Sequence, residues 1–275
     1  MKRNVRLGLA VGVVSLAVLA LGCEDEDKKK AELLAKTGGG DAAAATASAA
    51  VPVPAASASA EPKAAKPPKE CPTGAEVPIE DPDLEAELRL KLDKPKDKNP
   101  GNLTTADLAK VKSVNLAKKS NLDELDPCVF PKMTNLKHLY LGPGKYRDLK
   151  PIANLVQLES LRASISEVED LKPLEKLVML DRLDLGRTHV RDLGPLANLV
   201  NLTELSLDDV PATDLTPLSK LKKLEKLSIR NTAVTDVSPL KDLTKLKILD
   251  VKGTAISNLD TIQPLTSKGL KIMTK

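Results

Sequence analysis

Few side chains in this sequence have the type and spacing needed for covalent or metal chemistry. The chain holds two histidines, His138 and His189, and three cysteines, Cys23, Cys71 and Cys128. It contains no C-x-x-C and no H-E-x-x-H, and neither histidine has a ligating partner at useful spacing. No serine, histidine and aspartate stand in a recognisable triad context. Gly142-Pro143-Gly144-Lys145 lacks the flanking glycine and hydroxyl residue of a phosphate loop and reads as an irregular turn. His189 also falls in a turn, where mere exposure is expected. No enzyme, metal or cofactor is therefore expected. What is left for function is a set of regularly spaced charged and polar side chains, together with the fates of the three cysteines.

The spacing comes from a repeat. The starts at Leu136, Leu158, Leu180, Leu202, Leu224 and Leu246 are each 22 residues apart. Each copy opens as L-x-x-L-x-L, as in Leu180, Leu183 and Leu185. That alternation suits a strand with one buried face. The following D-L-x-P-L, as in Asp170-Leu171-Lys172-Pro173-Leu174, breaks the alternation. There an aspartate can cap a short turn, and proline is tolerated early because its missing N–H has no partner at a helix start. Each copy predicts a short strand, a turn, a brief 3-10 or helical segment and a return. One coil cannot bury its own leucines, so neighbours must stack around a shared core. The ninth position, Gly144, Ser166, Thr188, Val210, Thr232 and Thr254, could carry a hydroxyl that bridges adjacent coils, with Val210 breaking the series.

The 22-residue length and the D-L-x-P-L segment resemble the bacterial internalin-like branch of the leucine-rich repeat family, over about residues 78–272. The resemblance implies an α/β solenoid with a parallel concave sheet, short 3-10 or helical turns on the convex side and a helical N-terminal cap. It leaves the bound molecule open. On the strands, the third, fifth and seventh positions point out of the core onto the concave sheet. Those with the most to offer a partner are His138, Tyr140, Arg162, Arg182, Asp184, Glu204, Asp208, Lys226, Arg230 and Asp250, which read as a central acidic group flanked by basic coils. Each is taken singly as an ordinary solvated position, but together they form the candidate partner-binding face. Lys220, Lys222 and Lys223 fall off the sheet and read as solvated.

At the other end of the chain, Lys2, Arg3 and Arg6 precede an apolar run from Leu7 to Leu21, as in a secretion signal over residues 1–22. Ala20-Leu21-Gly22-Cys23 resembles the lipobox of bacterial lipoproteins, which implies acylation of Cys23 and a membrane anchor. The order Ala20-Leu21 departs from the usual leucine followed by a small residue. Residues 23–70, rich in Ala, Pro and Lys, are expected to form a disordered tether. Glu24, where aspartate would retain such a protein at the inner membrane, favours the outer membrane of a bacterial cell envelope. With Cys23 so used, Cys71 and Cys128 remain as an even pair in an oxidising compartment, and a disulfide between them is expected.

Residues 71–110 read as the N-terminal cap and 111–275 as the solenoid. Asp81 and Pro82 mark a helix start, with Leu84, Leu88 and Leu92 on one face and Lys94-Pro95 at its end. Thr104 and Asp107 form a T-x-x-D capping box. Val111, Val114 and Leu116 begin a divergent first repeat. The sixth copy degrades, with Asn258 for Asp and Thr261 for Pro, and Leu270 and Ile272 supply one last strand. From Cys71 onward, 32 Lys and Arg face 30 Asp and Glu. That balance excludes a basic nucleic-acid-binding domain. Only Phe130, Tyr140 and Tyr146 are aromatic, so a polysaccharide ligand, which stacks on rings, is disfavoured. A protein partner bound at the concave sheet is the first expectation. The alternative is a spacer or assembly element, or a regulator of an envelope enzyme.

Overall fold

The structure is a computed structural model that describes residues 69–118 and 121–275. The expected leader and the tether as far as residue 68, including Cys23, lie outside the described residues; Lys69, at the end of the expected tether, pairs with Glu80 and Asp126. The described chain opens with strand β1 (Glu76–Val77), followed by helix α1 (Pro82–Leu92). Strand β2 (Leu103–Thr104) pairs antiparallel with β1 and runs into a single helical turn, α2 (Thr105–Leu108).

Local chemistry sets each boundary. The Asp81 carboxylate accepts hydrogen bonds from the Asp83 and Leu84 N–H groups, at 3.0 and 3.1 Å, and Pro82 occupies the first turn. Leu84 and Leu88 are fully buried and Leu92 packs partly on the core. The helix stops at Asp93, whose left-handed backbone turns the chain one residue before the expected Lys94-Pro95. At α2 the capping box closes in both directions between Thr104 and Asp107.

Beyond the cap, one sheet is built a coil at a time: β3 (Ser113–Asn115), β4 (His138–Tyr140), β5 (Ser160–Arg162), β6 (Arg182–Asp184), β7 (Glu204–Ser206), β8 (Lys226–Ser228) and β9 (Ile248–Asp250). After the short helix α3 (Gln263–Thr266), β10 (Lys271–Met273) closes the order. Every strand is parallel to its neighbours, in sequence order from β3 to β10. Val114, Leu139, Leu161, Leu183, Leu205, Leu227, Leu249 and Ile272 face one another in register, so the repeat starts translate into a column of apolar side chains. All but Ile272 are buried, and they join one continuous core running from Val77 to Leu270.

The convex side is made of 3-10 turns at Lys150–Ile152, Lys172–Leu174, Gly194–Asn198, Thr216–Lys220 and Ser238–Leu240. Ahead of each, Asp148, Asp170, Asp192, Asp214 or Asp236 accepts from the N–H two residues on, at 2.7–2.9 Å. The aspartate thus sits one residue before the leucine or valine that formally caps the turn. In the degraded sixth copy, Asn258 instead reaches back one coil, accepting from Val237 N–H and donating to the Asp236 carboxylate.

The ninth-position hydroxyls differ from expectation. They do not bridge coils. Ser166, Thr188 and Thr232 each donate to the carbonyl three residues earlier in the same coil, at 2.8–2.9 Å, and Thr254 does likewise. The backbone makes the bridge: the N–H groups of Ile165, Arg187, Asp209 and Asn231 donate to the carbonyls of Gly186, Asp208, Arg230 and Lys252 in the next coil. These four residues have φ of 53–59°. The left-handed turn aims each N–H along the solenoid and leaves an inward carbonyl for the hydroxyl to satisfy.

A candidate binding face cross-linked by its own charges

Strand alternation sends Leu183 and its equivalents into the core and places their sequence neighbours on the concave face. A shallow concavity of about 540 Å³ lies there, lined by side chains from β4 to β10. Nine of the ten candidate residues line it: Tyr140, Arg162, Arg182, Asp184, Glu204, Asp208, Lys226, Arg230 and Asp250. His138 stands outside it on β4, half-buried, with its Nδ1 enclosed and without a hydrogen-bond partner.

The acidic side chains Asp184, Glu204 and Asp208 occupy the middle coils, with Arg162 and Arg182 on one side and Lys226 and Arg230 on the other, and the two signs pair along the ladder. Arg162 Nε lies 3.2 Å from Asp184 Oδ2. Glu204 Oε1 sits 2.8 Å from Lys226 Nζ and 4.0 Å from Arg182 Nε. Asp208 accepts from the Arg230 guanidinium at 2.6 and 2.9 Å, from its backbone N–H at 3.0 Å and from the Ser228 hydroxyl. Because a strand ladder brings residues 22 apart face to face, the repeat period itself puts each side chain beside its partner. Residues in one coil cannot disclose this; comparing each with the residue 22 ahead can.

The last of these pairs shifts both of its members. Burial by itself would raise the Asp208 carboxyl, but the Arg230 guanidinium and the Ser228 hydroxyl outweigh it and hold the carboxyl below its ordinary value. Arg230 is raised in turn by the Asp208 carboxylate. Asp208 and Arg230 therefore each favour the charged form of the other. Asp250 differs from the rest: at 8% exposure it is buried, and its carboxylate accepts from the Lys252 N–H, so it shapes the turn more than it presents a charge. At the C-terminal end of the concavity the lining turns apolar, with half-exposed Ile248 and exposed Met273.

Off this face, Cys71 and Cys128 are joined, with Cα atoms 5.2 Å apart, and the bond fastens the start of the described chain to the first coil. His189 is exposed just past the turn at 186–187, its backbone N–H donating to Val168 O. Lys223 Nζ donates to Asn201 Oδ1 outside the concavity. Sequence reading missed a stripe of exposed valines, Val156, Val178 and Val200, with Met179 beside it. The signal was present, since the three valines are 22 apart in otherwise polar positions.

A column of in-register leucines, a parallel concave sheet and proline-bearing 3-10 turns opposite it define a leucine-rich repeat solenoid, a scaffold for binding proteins. Residues 222–267 match the family described as "Leucine Rich repeats (2 copies)". The fold is similar to that of internalin C2 from Listeria monocytogenes, with a TM-score of 0.58 and 25% identity, over 71% of this chain and 93% of that one. It is also similar in fold to an internalin, inlF, from the same organism, with a TM-score of 0.57 and 22% identity, over 70% of this chain and 62% of that one. Among the curated proteins none matches. In repeat and fold the chain is similar to the bacterial internalin-like leucine-rich repeats.

Proposed function

We propose that this protein is a lipid-anchored component of a bacterial cell envelope that binds a protein partner through its concave sheet and has no catalysis of its own. The observation that carries the reading is the run of charged side chains on β5 to β8, each held in place by a partner one coil away. A prearranged charged face of this kind favours specificity and association rate over raw affinity. It suits a partner that presents basic groups to the acidic centre and acidic groups to its flanks, and offers little to a polyanion. In this reading Cys23 carries the lipid, residues 23–70 are the tether, residues 71–110 form the cap and 111–275 the solenoid. Glu24 directs the protein to the outer membrane.

The test is capture from intact envelopes by crosslinking, with the triple variant Arg182→Glu, Asp184→Lys, Glu204→Lys as control. Exposed pairs contribute only about 0–1 kcal/mol each, so the variant remains folded by circular dichroism. Loss of the captured partner with folding retained supports the reading; equal capture by the variant overturns it. Radiolabelled fatty acid reports on the anchor separately, and Cys23→Ala should lose the label.

A spacer or assembly role draws on one observation. The last coil is covered less completely than the others: Ile256, Leu259 and Ile272 are only partly buried, and Met273 is exposed on the edge strand β10. Under that reading the triple variant has no phenotype.

A further inference from the structure

The outer face of α1 is unlike the rest of this leucine-burying chain. Leu84 and Leu88 are 2% and 0% exposed, whereas Leu90 is 74% exposed, the most of any large apolar side chain in the described residues. At 100° per residue, Ala86 and Leu90 fall on the line directly opposite the buried leucines, one turn apart. Together they form a ridge between two grooves of about 530 and 460 Å³, and both residues line both grooves. The first groove is walled by Pro95 and Lys96, and that wall is fixed. Arg89, itself buried, donates to the carbonyls of Lys94, Asn99 and Gly101, and Lys96 pairs with Glu85. The site is preformed.

We infer that this face is a self-complementary contact through which two copies of the chain pair their α1 helices antiparallel. Two features select a second copy. A protruding leucine and a small alanine one turn apart match the same pair on an antiparallel helix, Leu90 of each copy seating over Ala86 of the other. Such isologous matching is what a two-fold axis requires. The outward charges of the helix are also divided, with Asp83, Glu85 and Glu87 in its first half and Lys91 in its last, while Arg89 is turned inward. With Leu90 over Ala86, antiparallel pairing brings Lys91 of one copy level with Glu85 of the other and within two residues of its Asp83. A parallel arrangement, or a partner of one charge, opposes like charges over half the helix. One short helix per copy buries less than the roughly 1,000 Å² of a stable interface. The pair is therefore weak in dilute solution and populated where chains are crowded. This inference depends on α1 alone and not on the concave-face or anchoring readings.

The test uses the full chain in detergent. Equimolar Ala86→Cys and Leu90→Cys chains, mixed and oxidised, should give a covalent dimer well above either variant alone or an exposed Thr244→Cys control. Sedimentation velocity should show concentration-dependent dimerisation of the unmodified chain. Leu90→Asp should weaken it by at least about thirtyfold, as loss of an interface anchor does, with an unchanged thermal melt because the side chain is exposed. A monomer at every concentration, an undiminished dimer in Leu90→Asp, or crosslinking no better than the control each overturns the inference. None of these outcomes depends on partner capture or on acylation.

Discussion

Ile165 holds a φ of 59° on the surface, 43% exposed, at the position where the next coils place Arg187, Asp209, Asn231 and Gly253. A β-branched side chain there meets its own backbone, at a cost of roughly 1–2 kcal/mol that glycine and asparagine largely avoid. Ile165→Asn should therefore stabilise the protein by about 1 kcal/mol in chemical denaturation, and a loss of stability would show that the exposed isoleucine packs more than its surroundings indicate. Gly144 behaves in the opposite sense. The ninth position takes a hydroxyl residue in four of the six copies, which makes Gly144→Thr look like a repair. But a Cβ there would stand 1.9 Å from the Leu122 carbonyl, where the irregular first coil bridges to it. Gly144→Thr should destabilise by about 1–3 kcal/mol, the usual effect of overpacking, measured in the same way.

At the scale of elements, the cap contains a carboxyl whose charge its fold depends on. The Lys94 ammonium, followed by the Thr104 hydroxyl and N–H, holds the Asp107 carboxyl at about 2, against the opposing effect of burial. Its folded-state pKa is thus below the ordinary 3.8. The stabilisation it brings is complete above that ordinary value and is lost as pH falls toward about 2. Asp107→Ala should lower stability at pH 7 by roughly 1–2 kcal/mol, as loss of a capping interaction does. The gap between variant and parent should close between about pH 4 and pH 2, and a gap independent of pH would remove the carboxylate from the account. Both the helix start at Asp81-Pro82 and the Thr104–Asp107 box were legible in sequence, because each is closed by groups within three residues of one another. The outward ridge of α1 was not read there: Leu90 looks like one more leucine until the solenoid shows which side of the helix it covers.

Across the whole molecule, stability is shared between coils that contact only their neighbours. Anything that fastens one end therefore protects the array from fraying at that end. The Cys71–Cys128 bond, with a sequence separation of 57, does this at the cap. Replacing both cysteines by alanine should cost about 4 kcal/mol by loop-closure entropy and lower Tm on the order of 10 °C in calorimetry. An unchanged Tm would mean that the cap is held without it.

The leucine period by itself determined the solenoid, the direction of its strands and which side chains leave the core, because burial acts on one residue type at one spacing and tolerates no slip. It also marked the positions of the concave face. Only the folded coils decided what those positions do. Arg162 meets Asp184, Glu204 meets Lys226 and Asp208 meets Arg230 through contacts between residues distant in the chain. The ninth-position hydroxyls turn inward to their own coil for a similar reason: the left-handed turn before them frees one carbonyl and hands the bridge between coils to the backbone. Polar partners depend on distances of a few ångströms and on the direction of each donor, and these exist only once neighbouring coils have stacked.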